Sequence, residues 1–162
     1  MERARTNLDI AWRAHAAQES WAGKVDTKAS ILLALDGVIL GAMLTARAQK
    51  VSVVPVLTGP RLTTLVVAVV LCAVAGLLAA AVVFPVLGGR RSGTIFFGDL
   101  RRRAAGDLAG QLLRLTVAEQ VEQVALQLVA MSRVNWLKHR LMQAALIATM
   151  AGFLLVMIVV LT

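Results

Sequence analysis

The chain has 162 residues, 59% of them hydrophobic, no tyrosine, and a formal net charge of +8. That is room for one folding unit, and the polar remainder is too small to enclose the apolar part in a water-soluble core. One cysteine excludes an intrachain disulfide, and with two histidines and no cysteine cluster a metal site is not expected.

Residues 1–28 are mostly polar and predict an N-terminal cytosolic or interfacial helix. Asn7 or Asp9 suits its cap, and the alanine content and lack of proline favour it. Trp12 and Trp21 supply amphipathic anchors, with Trp21 where an interfacial tryptophan belongs. Gly23 is a soft spot just before the membrane, so the helix either runs on into the first span or bends there. A signal sequence would place its apolar core nearer the start, so the first span is expected to stay as an anchor.

Three apolar stretches follow, 29–46, 62–87 and 141–161, each about as long as a helix needs to cross a hydrocarbon core of roughly 30 Å. A helix apolar on every side must be buried in protein or lipid, and here only lipid is at hand. Asp36 sits inside the first span. An unpaired carboxylate at the bilayer centre costs on the order of 2.5–3.5 kcal/mol. Asp36 is therefore expected to be protonated, paired, or turned toward other helices or water. It serves either as a hydrogen-bonding contact to a neighbouring helix or as a pore lining or gating contact. Gly37 and Gly41 have the small-x-x-x-small spacing that lets another helix approach.

Residues 47–61 predict an external loop, with Pro55, Gly59 and Pro60 as turn residues. The second span, 62–87, is rich in valine and alanine, and Pro85 is expected to kink or stop it. Cys72 inside it reads as a small packing residue.

Residues 88–140 predict a cytosolic helical insert. It opens with Gly88-Gly89-Arg90-Arg91-Ser92-Gly93, a flexible basic linker without the lysine and hydroxyl of a phosphate loop. Ile95-Phe96-Phe97-Gly98-Asp99 predicts a tight turn. Arg101, Arg102 and Arg103 then suit either lipid headgroups, at about 1 kcal/mol each near an anionic surface, or a nucleotide phosphate. From Asp107 the pattern is helical. Val117, Val121, Val124, Leu128, Met131 and Asn135 recur at four- and three-residue steps, a stripe for one partner helix in the same chain or another subunit. No breaker separates Asn135 from the third span. Trp136, Lys138, His139 and Arg140 make an inner interfacial belt.

Five basic residues lie in 1–28, nine in 88–140 and three in 47–61. By the retention of positive loops, the N terminus and insert face the cytoplasm and the C terminus faces out. The expected fold is an all-α integral membrane protein with three transmembrane helices, an N-terminal helix and a helical cytosolic insert. Ser20, Ser30 and Ser132 lack partners that would specify a nucleophile, and His15 and His139 form no set with them, so no enzyme is expected.

Trp21-Ala-Gly-Lys-Val-Asp26-Thr-Lys28-Ala-Ser30, leading into an apolar span, resembles the first signature of the Pycsar transmembrane effectors. Ile95-Phe-Phe97-Gly98-Asp99, after a span ending in proline, resembles the second, and the Lys138 segment before the last span resembles a third. The ordered set covers about Trp12 to Leu155. His139 stands where that family would have an aromatic residue, and no cyclic-nucleotide-binding β-roll is present.

The resemblance implies antiphage defence at the bacterial inner (plasma) membrane. A functionally paired cyclase makes cyclic UMP or cyclic CMP on infection, and the effector impairs the membrane, giving abortive infection. Residues carried over are Trp21, Asp26, Lys28, Phe97, Gly98, Asp99 and Lys138. A mononucleotide needs cations for its phosphate, for which Lys28, Arg101, Arg102 and Lys138 are candidates. Phe97 is the candidate for stacking on the base, and Asp26 and Asp99 for accepting hydrogen bonds. The competing reading makes Asp26, Lys28, Asp99 and Lys138 a structural ion-pair network where helices enter the membrane. The bilayer and further copies of the chain are the expected physical partners; no cofactor and no nucleic acid are expected. The alternative function is a non-enzymatic scaffold, for instance a plasmid-transfer or envelope protein that recruits a cytosolic partner.

Overall fold

The computed structural model describes residues 2–48, 59–84 and 97–161, and among these every regular element is helical. The helices are α1 (Glu2–Ala48), α2 (Pro60–Val83), α3 (Phe97–Leu100), α4 (Ala105–Arg114) and α5 (Val117–Leu161). Three of them, α1, α2 and α5, are long and apolar enough to cross a membrane. The chain is an all-α membrane protein. Helix α1 passes Gly23 without a break, so of the two alternatives left by the sequence it runs on into the apolar segment. Helix α5 likewise carries the polar stripe and the last apolar segment on one uninterrupted helix. The basic linker at 88–93, Pro55 and Phe96 lie outside the described residues.

Local chemistry explains the helix ends. Gly59 caps α2 at φ 63°, a left-handed conformation that costs glycine little, and Pro60 follows at the first helical position with φ already suited to the helix. At the other end Phe84 leaves the helix with ψ 128° while its N–H still reaches the Ala80 carbonyl at 2.9 Å. The residue before a proline is pushed out of helical ψ by the ring, and Pro85 follows. Thr116 begins α5 as half of a reciprocal cap. The Thr116 N–H and hydroxyl donate to Glu119 Oε2 at 2.7 and 2.8 Å, and the Glu119 N–H donates to Thr116 Oγ1 at 3.3 Å.

The chain divides into two compact units. One comprises Met1–Gly23 and Pro85–Leu137, the other Lys24–Phe84 and Lys138–Thr162. In the first, Val117, Val121, Val124, Leu128, Met131 and Asn135 are all withdrawn from solvent, with Val124 fully buried. Leu8, Ala11, His15, Gln18 and Ala22 of α1 are withdrawn at matching three- and four-residue steps. Asn135 Nδ2 donates to the Gln18 carbonyl at 3.1 Å, so within the chain this stripe meets α1.

In the second unit Val25, Ala29, Leu32, Ala79, Val82, Met142 and Ala145 form one buried cluster. Each helix again repeats by sevens: Val25, Ala29, Leu32 and Asp36 on α1; Ala68, Cys72, Ala75, Ala79 and Val82 on α2; Met142, Ala145, Thr149 and Gly152 on α5. Lipid is as apolar as leucine, so such helices associate through close packing and internal hydrogen bonds, which small residues permit. A Cβ built on Gly152 would lie 2.8 Å from Cys72 Sγ and 3.1 Å from the Ala68 carbonyl. The absence of a side chain lets α5 sit directly on α2.

Candidate functional site

Asp26 and Lys138, 112 positions apart, meet in the second unit. Lys138 Nζ donates to Asp26 Oδ1 at 2.6 Å, with side-chain exposures of 15% for the lysine and 36% for the aspartate. The pair is thus sheltered on the lysine side yet reachable by a solute on the aspartate side. Lys28 lies two residues beyond Asp26. At 100° per residue that is about 200° around α1, so it leaves the helix from the opposite side, where it is exposed.

Ten residues further along α1, Asp36 is 1% exposed. Thr149 Oγ1 of α5 lies 3.0 Å from its Oδ1 and 3.2 Å from its Oδ2. Gly76 of α2 presents its bare Cα to the same place, with the Asp36 Cβ 3.9 Å from where a glycine Cβ would be. The intramembrane carboxyl is turned toward other helices, one of the three outcomes expected from its cost in hydrocarbon. The offsets 26 to 138 and 36 to 149 are nearly equal, so α1 and α5 run parallel in this unit and two polar ties join them. Those ties are about 15 Å apart along the helix.

The remaining motif residues belong to the first unit. Arg101 and Arg102 are exposed, and Arg103 Nη1 donates to Gln111 Oε1. The side chains of Phe97 and Asp99 lie outside the described ones; their backbone forms α3 with Gly98 and Leu100. His15 is buried edge-on to Trp12, with ring centroids 5.4 Å apart, and its Nδ1 lies 3.8 Å from Glu19 Oε2. In the α5 cap, the Thr116 N–H and then its hydroxyl hold the Glu119 carboxyl below the ordinary carboxylate range.

Sequence reasoning did not single out Thr149, Gly152 or the Thr116–Glu119 cap. The cap was readable, since threonine followed three residues later by glutamate is a helix-start signature. Thr149 and Gly152 carried no local signal beyond their place in the seven-residue spacing that runs back through Ala145 and Met142.

An all-helical chain with three helices long and apolar enough to cross a membrane, a polar helical unit and an ion pair between the first and last of those helices defines an integral membrane protein. The chain belongs to the Pycsar effector protein family: the model of the Pycsar effector protein domain (PycTM) matches residues 10–162. No curated protein and no solved structure matches it. Membership makes it a membrane-associated effector of antiphage defence, functionally paired with a cyclase.

Proposed function

We propose that this effector responds to a cyclic pyrimidine mononucleotide, cyclic UMP or cyclic CMP, and that the response impairs the inner membrane and aborts infection. The observation that carries the reading is the Asp26–Lys138 contact, which joins two segments whose sequences resemble separate motifs of the family. An anionic phosphate arriving beside Lys138 competes with Asp26 for the ammonium group and so weakens a tie between α1 and α5. A ligand shifts an equilibrium only by its difference in affinity for the two arrangements, and an ion pair that must open supplies such a difference. Lys28, Arg101 and Arg102 are the further candidates for the phosphate, Phe97 for the base, and Asp99 for a base or ribose hydrogen bond. The chain acts in this reading as a non-enzymatic homo-oligomer, with its N terminus and the 88–140 insert in the cytoplasm and its C terminus outside.

Membrane potential in cells expressing the protein, with and without a co-expressed uridylate or cytidylate cyclase, tests the proposal. Depolarisation that requires one of the cyclases is expected and identifies the base. An unchanged potential in every case, with the protein present in the membrane, refutes the nucleotide response and favours a scaffold.

A further inference from the structure

Helix α4 has an apolar side that none of the described residues covers. Ala105, Ala109, Leu112 and Leu113 fall within about 100° of arc on the helix, and all four are exposed, Leu113 by 88%. No residue of α4 is buried. Leu108 and Leu115, off to one side, are the half-covered ones, and Asp107, Gln111 and Arg114 occupy the opposite side. Around this short amphipathic helix, residues 101–114 carry four arginines, Arg101, Arg102, Arg103 and Arg114, against the single acid Asp107.

We infer that α4 docks on an anionic bilayer surface, with Ala105, Ala109, Leu112 and Leu113 at the acyl boundary and the flanking arginines at headgroup phosphates. Charge complementarity selects this occupant. A second copy meeting the same face would bring the Arg101, Arg102 and Arg103 run against its like, whereas an anionic leaflet attracts each of them. A helix with one apolar side, a polar opposite side and flanking arginines is suited to lie in the interface rather than cross it. The segment is also joined at both ends to membrane-spanning helices, which holds the leaflet at high effective concentration and removes most of the entropic cost of docking.

This inference does not rest on the nucleotide reading. It gives Arg101 and Arg102 to lipid and leaves a nucleotide phosphate to Lys28 or Lys138.

The full chain in lipid nanodiscs provides the test, with a nitroxide placed in turn through Asp107→Cys, Leu112→Cys and Leu113→Cys in a Cys72→Ala background, and no nucleotide present. In discs of phosphatidylglycerol and phosphatidylcholine, labels at 112 and 113 are expected to favour oxygen over a nickel chelate. The label at 107 should show the reverse. In discs of phosphatidylcholine alone, or with Arg101, Arg102 and Arg103 replaced by glutamine, docking weakens by about fivefold for each arginine whose attraction is lost, and nickel access at 112 and 113 rises. Ala109→Cys reports on the same side should the leucine replacements disturb the helix. Equal nickel access at 107, 112 and 113 in anionic discs overturns the inference. So does shielding of 112 and 113 from both probes, because protein then covers the face.

Discussion

Replacing Gly152 by alanine sets two effects of opposite sign against each other. Alanine is the better helix former, by up to about 1 kcal/mol. The new methyl, however, must fit where its carbon would lie 2.8 Å from Cys72 Sγ, 3.1 Å from the Ala68 carbonyl and 3.4 Å from Leu71 Cβ. The thiol can turn aside; the carbonyl belongs to the α2 backbone and moves only if the helix moves. Overpacking of this kind costs about 1–3 kcal/mol, so Gly152→Ala is expected to lower stability by a net of roughly 0–2 kcal/mol once the propensity gain of about 1 kcal/mol is subtracted. Reversible unfolding in mixed micelles, followed by helicity or by a fluorophore pair on α2 and α5, reads this change. Gly37→Ala is the control, because a Cβ there meets nothing within 4 Å. Adding Cys72→Ala should restore part of the loss but not all, since the Ala68 carbonyl remains in the way. A Gly152→Ala protein stabilised over the parent as much as the Gly37→Ala control would refute the close approach of α5 to α2.

Lys138→Ala and Asp26→Ala should each destabilise by on the order of 1–2 kcal/mol, between the values for exposed and buried pairs. Lys138→Ala, which also removes the phosphate's partner, should abolish phage protection at unchanged membrane abundance, whereas Asp26→Ala, which opens the tie without a nucleotide, should depolarise the membrane without a cyclase. Protection restored by the exchange Asp26→Lys with Lys138→Asp would make the pair structural and count against a nucleotide contact there. Thr149→Val keeps the shape but leaves the Asp36 carboxyl without its donor. A loss of about 1–3 kcal/mol is expected in the same unfolding assay, and a value near zero would mean that the hydrogen bond contributes nothing net. The Glu119 carboxyl is held below its ordinary range by Thr116, so its contribution is fully present above that range and is lost as pH falls through its lowered folded value. The stability difference between the parent and Glu119→Gln should therefore shrink on acidification; a difference independent of pH would show that the cap is not formed in solution.

The membrane class, the three apolar helices and the α5 stripe from Val117 to Asn135 were legible because length, hydropathy and a seven-residue repeat are local properties. The opposite exits of Asp26 and Lys28 are local too, following from a two-residue step on a helix. Partner choice is of another kind. Asp36 carries no mark in its neighbourhood of Thr149, and for Asp26 the sequence offered Lys138 only as one of four charges in a candidate ion-pair network, with no pairing among them. Those partners became defined only when α1 and α5 came to lie parallel in one register, with the small residues of α2 filling the third side. Several registers would satisfy an apolar stripe equally well; the one observed also brings an ammonium to one carboxylate and a hydroxyl to the other. An unmet polar group costs more in lipid than in water, so the tertiary arrangement decided which residues face each other, while the sequence alone had already determined that they would lie on membrane-spanning helices.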